Sequence, residues 1–155
     1  MVSNGKLSRR SFLAVAGLGV VSAGLYVALP SRDNGGAQTV TPAQAHALLQ
    51  AQNLTLIDVR RPDEWTRTGV APGADLIDLR RDDFVSAVKQ AIADAPNRPV
   101  AVICAAGVRS ARMTRLLTQA GVIGVIDIPE GMTGSRAGPG WLDRGLPVLP
   151  YPNES

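Results

Sequence analysis

Cys104 is the residue of this chain best suited to covalent chemistry, and the sequence around it favours a reactive thiol. It follows four apolar residues, 100–103, and precedes a predicted helix, with Gly107 and other small residues between. Backbone N–H groups of such a loop can point inward and form an anion cradle, which stabilises a thiolate or a persulfide. Arg109 adds a fixed charge and a planar fork for oxyanions. A buried, inert thiol is the alternative.

The elements that must position this loop are indicated by apolar runs and helix-start signals. Apolar runs predict strands at residues 54–58, 74–79, 100–103 and 124–128. Helices are predicted at residues 42–50, from Pro62 onward, at 84–92 and at 110–120. This alternation predicts an α/β domain with a largely parallel sheet. Ligands of such sheets bind at the carboxyl ends of the strands, which is where Cys104 falls.

Polar residues at the helix starts and apolar residues along one helix face complete the pattern. Thr41 followed by Pro42 is a good helix start. Asp82 and Asp83 can cap the helix at 84–92. The helix at 110–120 has one apolar face that is expected to pack on the sheet, formed by Met113, Leu116, Leu117 and Ala120.

The composition excludes several classes of function. The formal charge of +3 reflects Lys6, Arg9 and Arg10, because no acidic residue precedes Asp33 and the rest of the chain holds 13 cationic against 13 acidic residues. A nucleic-acid partner therefore has no electrostatic footprint. A single cysteine excludes an internal disulfide, a CxxC pair and a thiolate metal cage. The only histidine, His46, is expected to lie exposed on the first helix, without a function.

Residues 1–37 are predicted to be an export signal followed by a linker. Residues 8–14, Ser-Arg-Arg-Ser-Phe-Leu-Ala, resemble the twin-arginine signal, and a mildly apolar run covers residues 12–29. Small residues at 35–37 favour cleavage before Gln38; the alternative is that the apolar run stays as a membrane anchor, since it is just long enough to span a bilayer. The resemblance implies the twin-arginine translocase as a partner. It also implies a periplasmic location, either free or attached to the inner membrane.

Four segments form an ordered set of motifs. They are Asp58-Val59-Arg60 followed by Glu64-Trp65, then Gly69-Val70-Ala71-Pro72-Gly73-Ala74, then Cys104-Ala105-Ala106-Gly107-Val108-Arg109-Ser110, and finally Glu130-Gly131 with Trp141 to Val148. In this order they resemble the Asp-Val-Arg signature, the Pro-Gly-Ala turn, the active-site loop and the closing segment of the rhodanese family. The resemblance extends from about residue 40 to residue 149.

The resemblance implies a three-layer α/β domain at residues 40–149, with a mainly parallel five-stranded sheet flanked by helices. The Cys104 thiolate would take sulfane sulfur from thiosulfate or a persulfide donor protein, and a thiol or cyanide would remove it. The loop from Ala105 to Ser110 would bind the persulfide. Asp58 and Arg60 would brace that loop by hydrogen bonds. No metal or organic cofactor would be needed.

Two other functions compete with sulfur turnover. Cysteine phosphatases, including those that share the rhodanese fold, need Cys-x5-Arg, whereas Arg109 is the fifth residue after Cys104. The shorter loop disfavours a phosphatase. The second alternative is a sulfur carrier without turnover, or a binding module of the rhodanese fold, that works with a partner protein. It is motivated by Ala105, because many thiosulfate-using members of the family have Arg or Lys there.

The remaining features are expected to be structural. Trp65 and Trp141 are interpreted as packing anchors. The pairs Arg60-Arg61 and Arg80-Arg81 are interpreted as solvated charge, and Val70, which replaces a histidine of the family, as a structural change. Residues 132–140 resemble a loop insertion beside the site that could shape access to it.

Overall fold

A computed structural model describes residues 31–32 and 38–151 of the chain. The predicted export signal, with its arginine pair, its apolar run and its cleavage site at 35–37, lies outside the described residues. No helix within the described ranges is long and apolar enough to cross a bilayer.

Six strands form one sheet, in the order β1-β2-β6-β5-β3-β4. They are β1 (Ser31–Arg32), β2 (Gln38–Thr39), β3 (Thr55–Asp58), β4 (Ala74–Leu76), β5 (Val100–Ile103) and β6 (Val125–Asp127). Strands β2 to β6 are all parallel to one another, and the two-residue strand β1 pairs antiparallel with β2 at one edge. The predicted α/β fold with a mainly parallel five-stranded sheet is therefore confirmed, with one short edge strand added.

Five helices accompany the strands: α1 (Pro42–Gln50), α2 (Pro62–Thr68), α3 (Phe84–Ala91), α4 (Val108–Gln119) and α5 (Gly140–Asp143). Thr41 caps α1 as predicted, because its hydroxyl accepts from the Gln44 N–H while the Gln44 side chain accepts from the Thr41 N–H. Asp83 occupies the N-cap position of α3 but makes no cap hydrogen bond, since its carboxylate binds Arg81 instead.

The sheet separates two apolar clusters, which makes the domain three-layered. Val100 and Val102 of β5 face a cluster that includes residues of α3 and α4. Ala101 and Ile103 alternate to the other side and join residues of α1 and α5. All four side chains of β5 are buried, as expected for an inner strand of a parallel sheet. Cys104 therefore continues the most deeply buried strand.

Two sequence-based expectations about these elements were wrong in detail. The strand predicted at 74–79 ends at Leu76, because the Asp78 carboxylate accepts the Arg80 N–H at 2.9 Å and turns the chain. Helix α4 begins at Val108, and its buried face is formed by Ser110, Met113, Thr114 and Leu117. Leu116 is 38% exposed. The buried face follows Ser110, which lies beside Cys104, so Leu116 is rotated toward solvent.

Candidate active site

Cys104 lies at the carboxyl end of β5, the middle strand of the five parallel ones, and is 1% exposed. Its carbonyl oxygen accepts a hydrogen bond from the Met132 N–H at 2.8 Å. Helix α4 begins four residues later, so the thiol occupies the strand-to-helix crevice in which ligands of parallel sheets bind.

Gly107 makes the tight loop after Cys104 possible. Its φ is +82°, a left-handed conformation that side chains oppose. A Cβ atom at this position would lie 2.1 Å from the carbonyl oxygen of Pro129, so no other residue fits. Gly107 is also the N-cap residue of α4, where no side chain caps the helix. The first N–H groups of α4 are therefore not used by a side-chain cap and can act as donors to an anion at the loop.

The loop itself has an apolar outer surface. Ala105 is half-buried, Ala106 is exposed and Val108 is 81% exposed. None of these side chains carries a charge or a hydrogen-bond donor. Recognition of a substrate by the loop therefore depends on its backbone and on groups supplied by other segments.

Ser110 is the polar side chain that contacts the thiol. Its Oγ lies 3.6 Å from Cys104 Sγ, and the side chain is fully buried. The Ser110 hydroxyl donates to the Gly107 carbonyl at 3.0 Å. Because a hydroxyl rotates freely between acceptors, the same group can donate to a thiolate. The predicted site residue Ser110 thus lies where it can stabilise charge on sulfur.

The sequence suggested that the guanidinium of Arg109 binds oxyanions at the cysteine loop. In the structure the guanidinium does not occupy the loop. Its Nη1 and Nη2 atoms donate to the Glu64 carboxylate of α2, each at 2.6 Å. This bidentate hydrogen bonding lowers the pKa of Glu64 from 4.5 to about 2 and raises the pKa of Arg109. The planar fork is therefore committed to Glu64, although the charge of Arg109 still interacts with Cys104.

Glu64 is a site residue whose role the sequence reasoning missed. It was seen only as part of a motif, 45 residues from its partner. The available signal was its place in the first turn of α2, directly after β3. Strands β3 and β5 are hydrogen-bonded neighbours with Asp58 opposite Ile103, so the segments that follow them meet at one edge of the sheet.

Asp58 and Arg60 brace α2 rather than the cysteine loop. Both are buried, and the Arg60 guanidinium binds the Asp58 carboxylate with a shortest contact of 2.7 Å. Arg60 also donates to the Thr68 hydroxyl at 2.6 Å and to the Gly69 carbonyl at 2.8 Å. The expected direct hydrogen bonds to the loop are absent among the described residues. Bracing reaches the loop indirectly, because the same helix holds Glu64.

Burial also corrects the interpretation of two other residues. Arg60 is 1% exposed, so the Arg60-Arg61 pair is not simply solvated charge; Arg61, Arg80 and Arg81 are exposed, as expected. His46 is half-buried, with its ring edge-on to Trp141 at a centroid distance of 5.6 Å. The one-dimensional pattern of α1 missed this contact because α5 covers that helix face.

Both tryptophans pack in the interior, as predicted. Trp141 is fully buried and donates from Nε1 to the Pro147 carbonyl at 2.9 Å. Trp65 is 4% exposed and lies edge-on to Tyr151. Val70 pairs with Leu149 in an isolated antiparallel bridge. The closing segment therefore fastens the end of the chain over these residues.

The 132–140 segment lies directly against the cysteine loop. The Thr133 N–H and hydroxyl both donate to the Ala105 carbonyl, at 2.9 and 3.1 Å. Together with the bond from Met132 to Cys104, these contacts engage the carbonyls of two consecutive residues at the start of the loop. The segment that the sequence predicted to lie beside the site is thus in direct contact with the cysteine loop.

Fold and site together define a class: a parallel α/β domain with a lone cysteine in a tight loop at the carboxyl edge of its sheet. A model of the rhodanese-like domain matches residues 41–137. The chain therefore belongs to the rhodanese-like domain family. A comparison with curated proteins finds no match.

Solved structures with the same fold include sulfurtransferases. The polysulfide-sulfur transferase homodimer of Wolinella succinogenes is 28% identical, with a TM-score of 0.55, and the match covers 75% of this chain and 80% of that one. Thiosulfate sulfurtransferase of Pseudomonas aeruginosa is 26% identical, with a TM-score of 0.58, over 72% of this chain and 20% of that one. Rv0390 of M. tuberculosis is 26% identical, with a TM-score of 0.61, over 73% and 97%. Family and neighbours support a general role in sulfur transfer.

Proposed function

We propose that this protein is an exported sulfurtransferase in which Cys104 carries sulfur as a persulfide. The observation that carries the proposal is the position of the thiol, at the carboxyl end of the middle parallel strand and before a helix whose first N–H groups lack a side-chain cap. Such a site stabilises negative charge on a small anion. Asp58, Arg60 and Trp65 of the family signature serve as the scaffold of this site.

The reaction proceeds in two displacements at sulfur. The Cys104 thiolate attacks the sulfane sulfur of thiosulfate, the S–S bond of the donor breaks, and sulfite leaves with the electron pair. The enzyme keeps the outer sulfur as a persulfide anion. Cyanide or a thiolate then attacks that outer sulfur and restores the Cys104 thiolate, which completes covalent catalysis by two lower barriers. A persulfide donor protein can replace thiosulfate in the first step.

Loop N–H groups and the Ser110 hydroxyl supply the stabilisation in this scheme. Both displacements place negative charge on the sulfur atoms next to the start of α4. The backbone N–H groups are held in place by the loop and the helix, and only the Ser110 hydroxyl has to rotate toward the sulfur as charge develops. Phosphatase chemistry is disfavoured, since it needs a free guanidinium opposite the thiolate and that of Arg109 is bound by Glu64.

Thiocyanate production from thiosulfate and cyanide tests the proposal. We expect production by the wild-type protein and none above background by Cys104→Ser, with the thermal unfolding of the two proteins compared as a folding control. Equal thiocyanate production by both proteins would remove Cys104 from the reaction. Hydrolysis of p-nitrophenyl phosphate is expected to be absent in both.

A sulfur carrier is the second candidate, and the apolar loop surface favours it. Exposed Ala106 and Val108 suit contact with a partner protein better than capture of a hydrated anion. Intact mass after exposure to a donor separates the two functions. A stable gain of one sulfur with negligible turnover supports the carrier, rapid turnover supports the enzyme, and absence of any sulfur adduct contradicts both.

The periplasm is the proposed location, reached through the twin-arginine translocase. The leader residues support it, and cleavage after Ala37 is compatible with the fold because β2 begins at Gln38. Cell fractionation with mass spectrometry of the N-terminus tests the proposal. A chain that begins at Gln38 in the periplasm, or a full chain in the inner membrane with its folded domain outside, is expected. A full chain in the cytosol would contradict export.

A further inference from the structure

The cysteine loop has no free cation of its own. Ala105, Ala106 and Val108 are apolar, and both terminal nitrogens of Arg109 bind Glu64. A doubly charged donor such as thiosulfate would therefore meet only uncharged donors in the loop, namely backbone N–H groups and the Ser110 hydroxyl. A nearby unpaired arginine would add the charge-assisted contact that sulfonate oxygens favour.

The 132–140 segment is held against two sides of this loop. Thr133 bonds the Ala105 carbonyl through both its N–H and its hydroxyl. The Ser135 hydroxyl donates to the Pro129 carbonyl at 2.8 Å. The same carbonyl oxygen is the atom that blocks a side chain at Gly107. Residues of this segment thus lie next to the loop at both Ala105 and Gly107.

The middle of the 132–140 segment is a tight turn whose two ends are in contact. Ser135 and Gly138 exchange backbone hydrogen bonds of 2.9 and 3.3 Å, which leaves two residues at the tip. At the base of the turn, a Cβ atom on Gly140 would lie 2.3 Å from the Gly134 nitrogen. The chain segments entering and leaving the turn are therefore in backbone contact. Glu130, itself bound by Arg144, accepts the Gly140 N–H at 3.1 Å. The turn is therefore a built, preorganised element.

Arg136 occupies the tip of this turn, directly after Ser135. Its side chain is exposed, and no described residue forms an ion pair with it. It follows Thr133 by three residues, a span of at most about 11 Å of backbone. A long, fully charged side chain on a rigid turn beside the loop has the properties of an anion receptor.

We propose that Arg136 determines specificity for anionic sulfur donors by binding the oxygens of the leaving group, such as the sulfonate of thiosulfate. This inference rests on the proposed sulfurtransferase function and assigns it a substrate class. The thiolate of Cys104 attacks the sulfane sulfur while Arg136 holds the sulfonate, and sulfite departs from that contact. No contact with the persulfide is required, so Arg136 acts on donor binding and not on the acceptor step.

Steady-state kinetics with thiosulfate test the proposal through a split between KM and kcat. Arg136→Ala is expected to raise the KM for thiosulfate about tenfold with little change in kcat, because the contact is present in both the bound and the transition state. Arg98→Ala is the matched control, since Arg98 lies before the amino end of β5, away from Cys104, and has no described ion pair. Adding Ala105→Arg to Arg136→Ala is expected to restore a low KM.

A second measurement is independent of sulfur transfer. The rates at which Cys104 reacts with anionic iodoacetate and neutral iodoacetamide give a ratio that reports local positive charge. Arg136→Ala and Arg136→Glu are expected to lower this ratio progressively, several-fold in total, while Arg98→Ala leaves it unchanged.

The outcomes separate the two proposals. If the wild-type protein makes thiocyanate but Arg136→Ala matches Arg98→Ala in KM and in alkylation ratio, the role of Arg136 is overturned and the sulfurtransferase remains. If the wild-type protein makes no thiocyanate and the ratio still falls in Arg136→Ala, the enzyme proposal fails while anion recognition by Arg136 is supported. If the wild-type protein makes no thiocyanate and the alkylation ratio of Arg136→Ala equals that of Arg98→Ala, both proposals are overturned.

Discussion

Gly107 is the residue on which the geometry of the cysteine loop depends most directly. Its positive φ sets the turn into α4, and the space where a side chain would begin is filled by the Pro129 carbonyl. Conformation and contact therefore both require glycine there. Ala105, by contrast, is half-buried and Ala106 is exposed, so the loop accommodates a side chain at each of these positions.

Replacing Gly107 by alanine is expected to destabilise the protein by about 2–4 kcal/mol, from positive-φ strain plus the clash with Pro129. The reaction of Cys104 with thiosulfate should fall as well, since relief of the clash displaces the loop. Gly121→Ala is the matched control: its φ is +84° and nothing lies within 4 Å, so strain alone applies and about 1 kcal/mol is expected. Urea unfolding measures both, and equal losses would contradict the role given to the Pro129 contact.

At the scale of elements, the site depends on the contact between α2 and α4. Glu64 and Arg109 join the starts of these helices by two hydrogen bonds of 2.6 Å. The buried pair of Asp58 and Arg60 fixes α2 to β3 in turn. Through Arg109, the cysteine loop is thereby held from the segment that follows the neighbouring strand β3.

Glu64→Gln is expected to lower stability at pH 7 by about 2 kcal/mol. The pKa of Glu64, about 2, is lower than its unfolded value of 4.5. On acidification, Glu64 is therefore protonated in the unfolded chain before it is protonated in the folded protein. The stabilisation by its carboxylate is complete above about pH 4.5 and is lost as the pH falls toward 2. Unfolding free energy measured across this range should decline less steeply in the variant.

Asp83→Asn provides the comparison for the same measurement. Its pair with Arg81 is exposed to solvent, so removal of the charge is expected to leave stability unchanged within error. A pH dependence in Glu64→Gln that equals that of the wild-type protein would show that the pair does not couple the two helices.

Sequence alone predicted the elements well where the signal was local. The buried run of β5, the cap of α1 by Thr41 and the position of Cys104 all follow from residues close together in the chain. The partner of Arg109 could not be predicted in this way. Whether its guanidinium binds an anion at the loop or a carboxylate depends on which strands are neighbours in the sheet. The prediction that Leu116 packs on the sheet was wrong for a related reason. The buried face of α4 is set by the contact of Ser110 with Cys104, which the periodicity of apolar residues does not show.

At the scale of the whole molecule, the sheet is complete without its edge strand. Among the described residues, β1 pairs only with β2, and β2 pairs in turn with β6. Within the part of the chain that the structure describes, both apolar clusters are formed by residues after position 39. We therefore expect the domain to fold without β1.

A chain that begins at Gln38 is expected to unfold within about 3 °C of one that begins at Ser31, and to give the same yield of thiocyanate. Two residues of edge pairing at an exposed position contribute little to a sheet whose core lies elsewhere. Differential scanning calorimetry of the two chains measures the change. Loss of a cooperative transition in the shorter chain would show that β1 is a required part of the fold.

The lone cysteine described above also limits how the protein recovers from damage. A Cys104 oxidised beyond the thiol, as a sulfenic acid, finds no second thiol in this chain with which to form an internal disulfide. Its burial also hinders a disulfide between two copies of the chain. Return of such a sulfenic acid to the thiol therefore needs a thiol from outside the chain, one small enough to reach the buried sulfur.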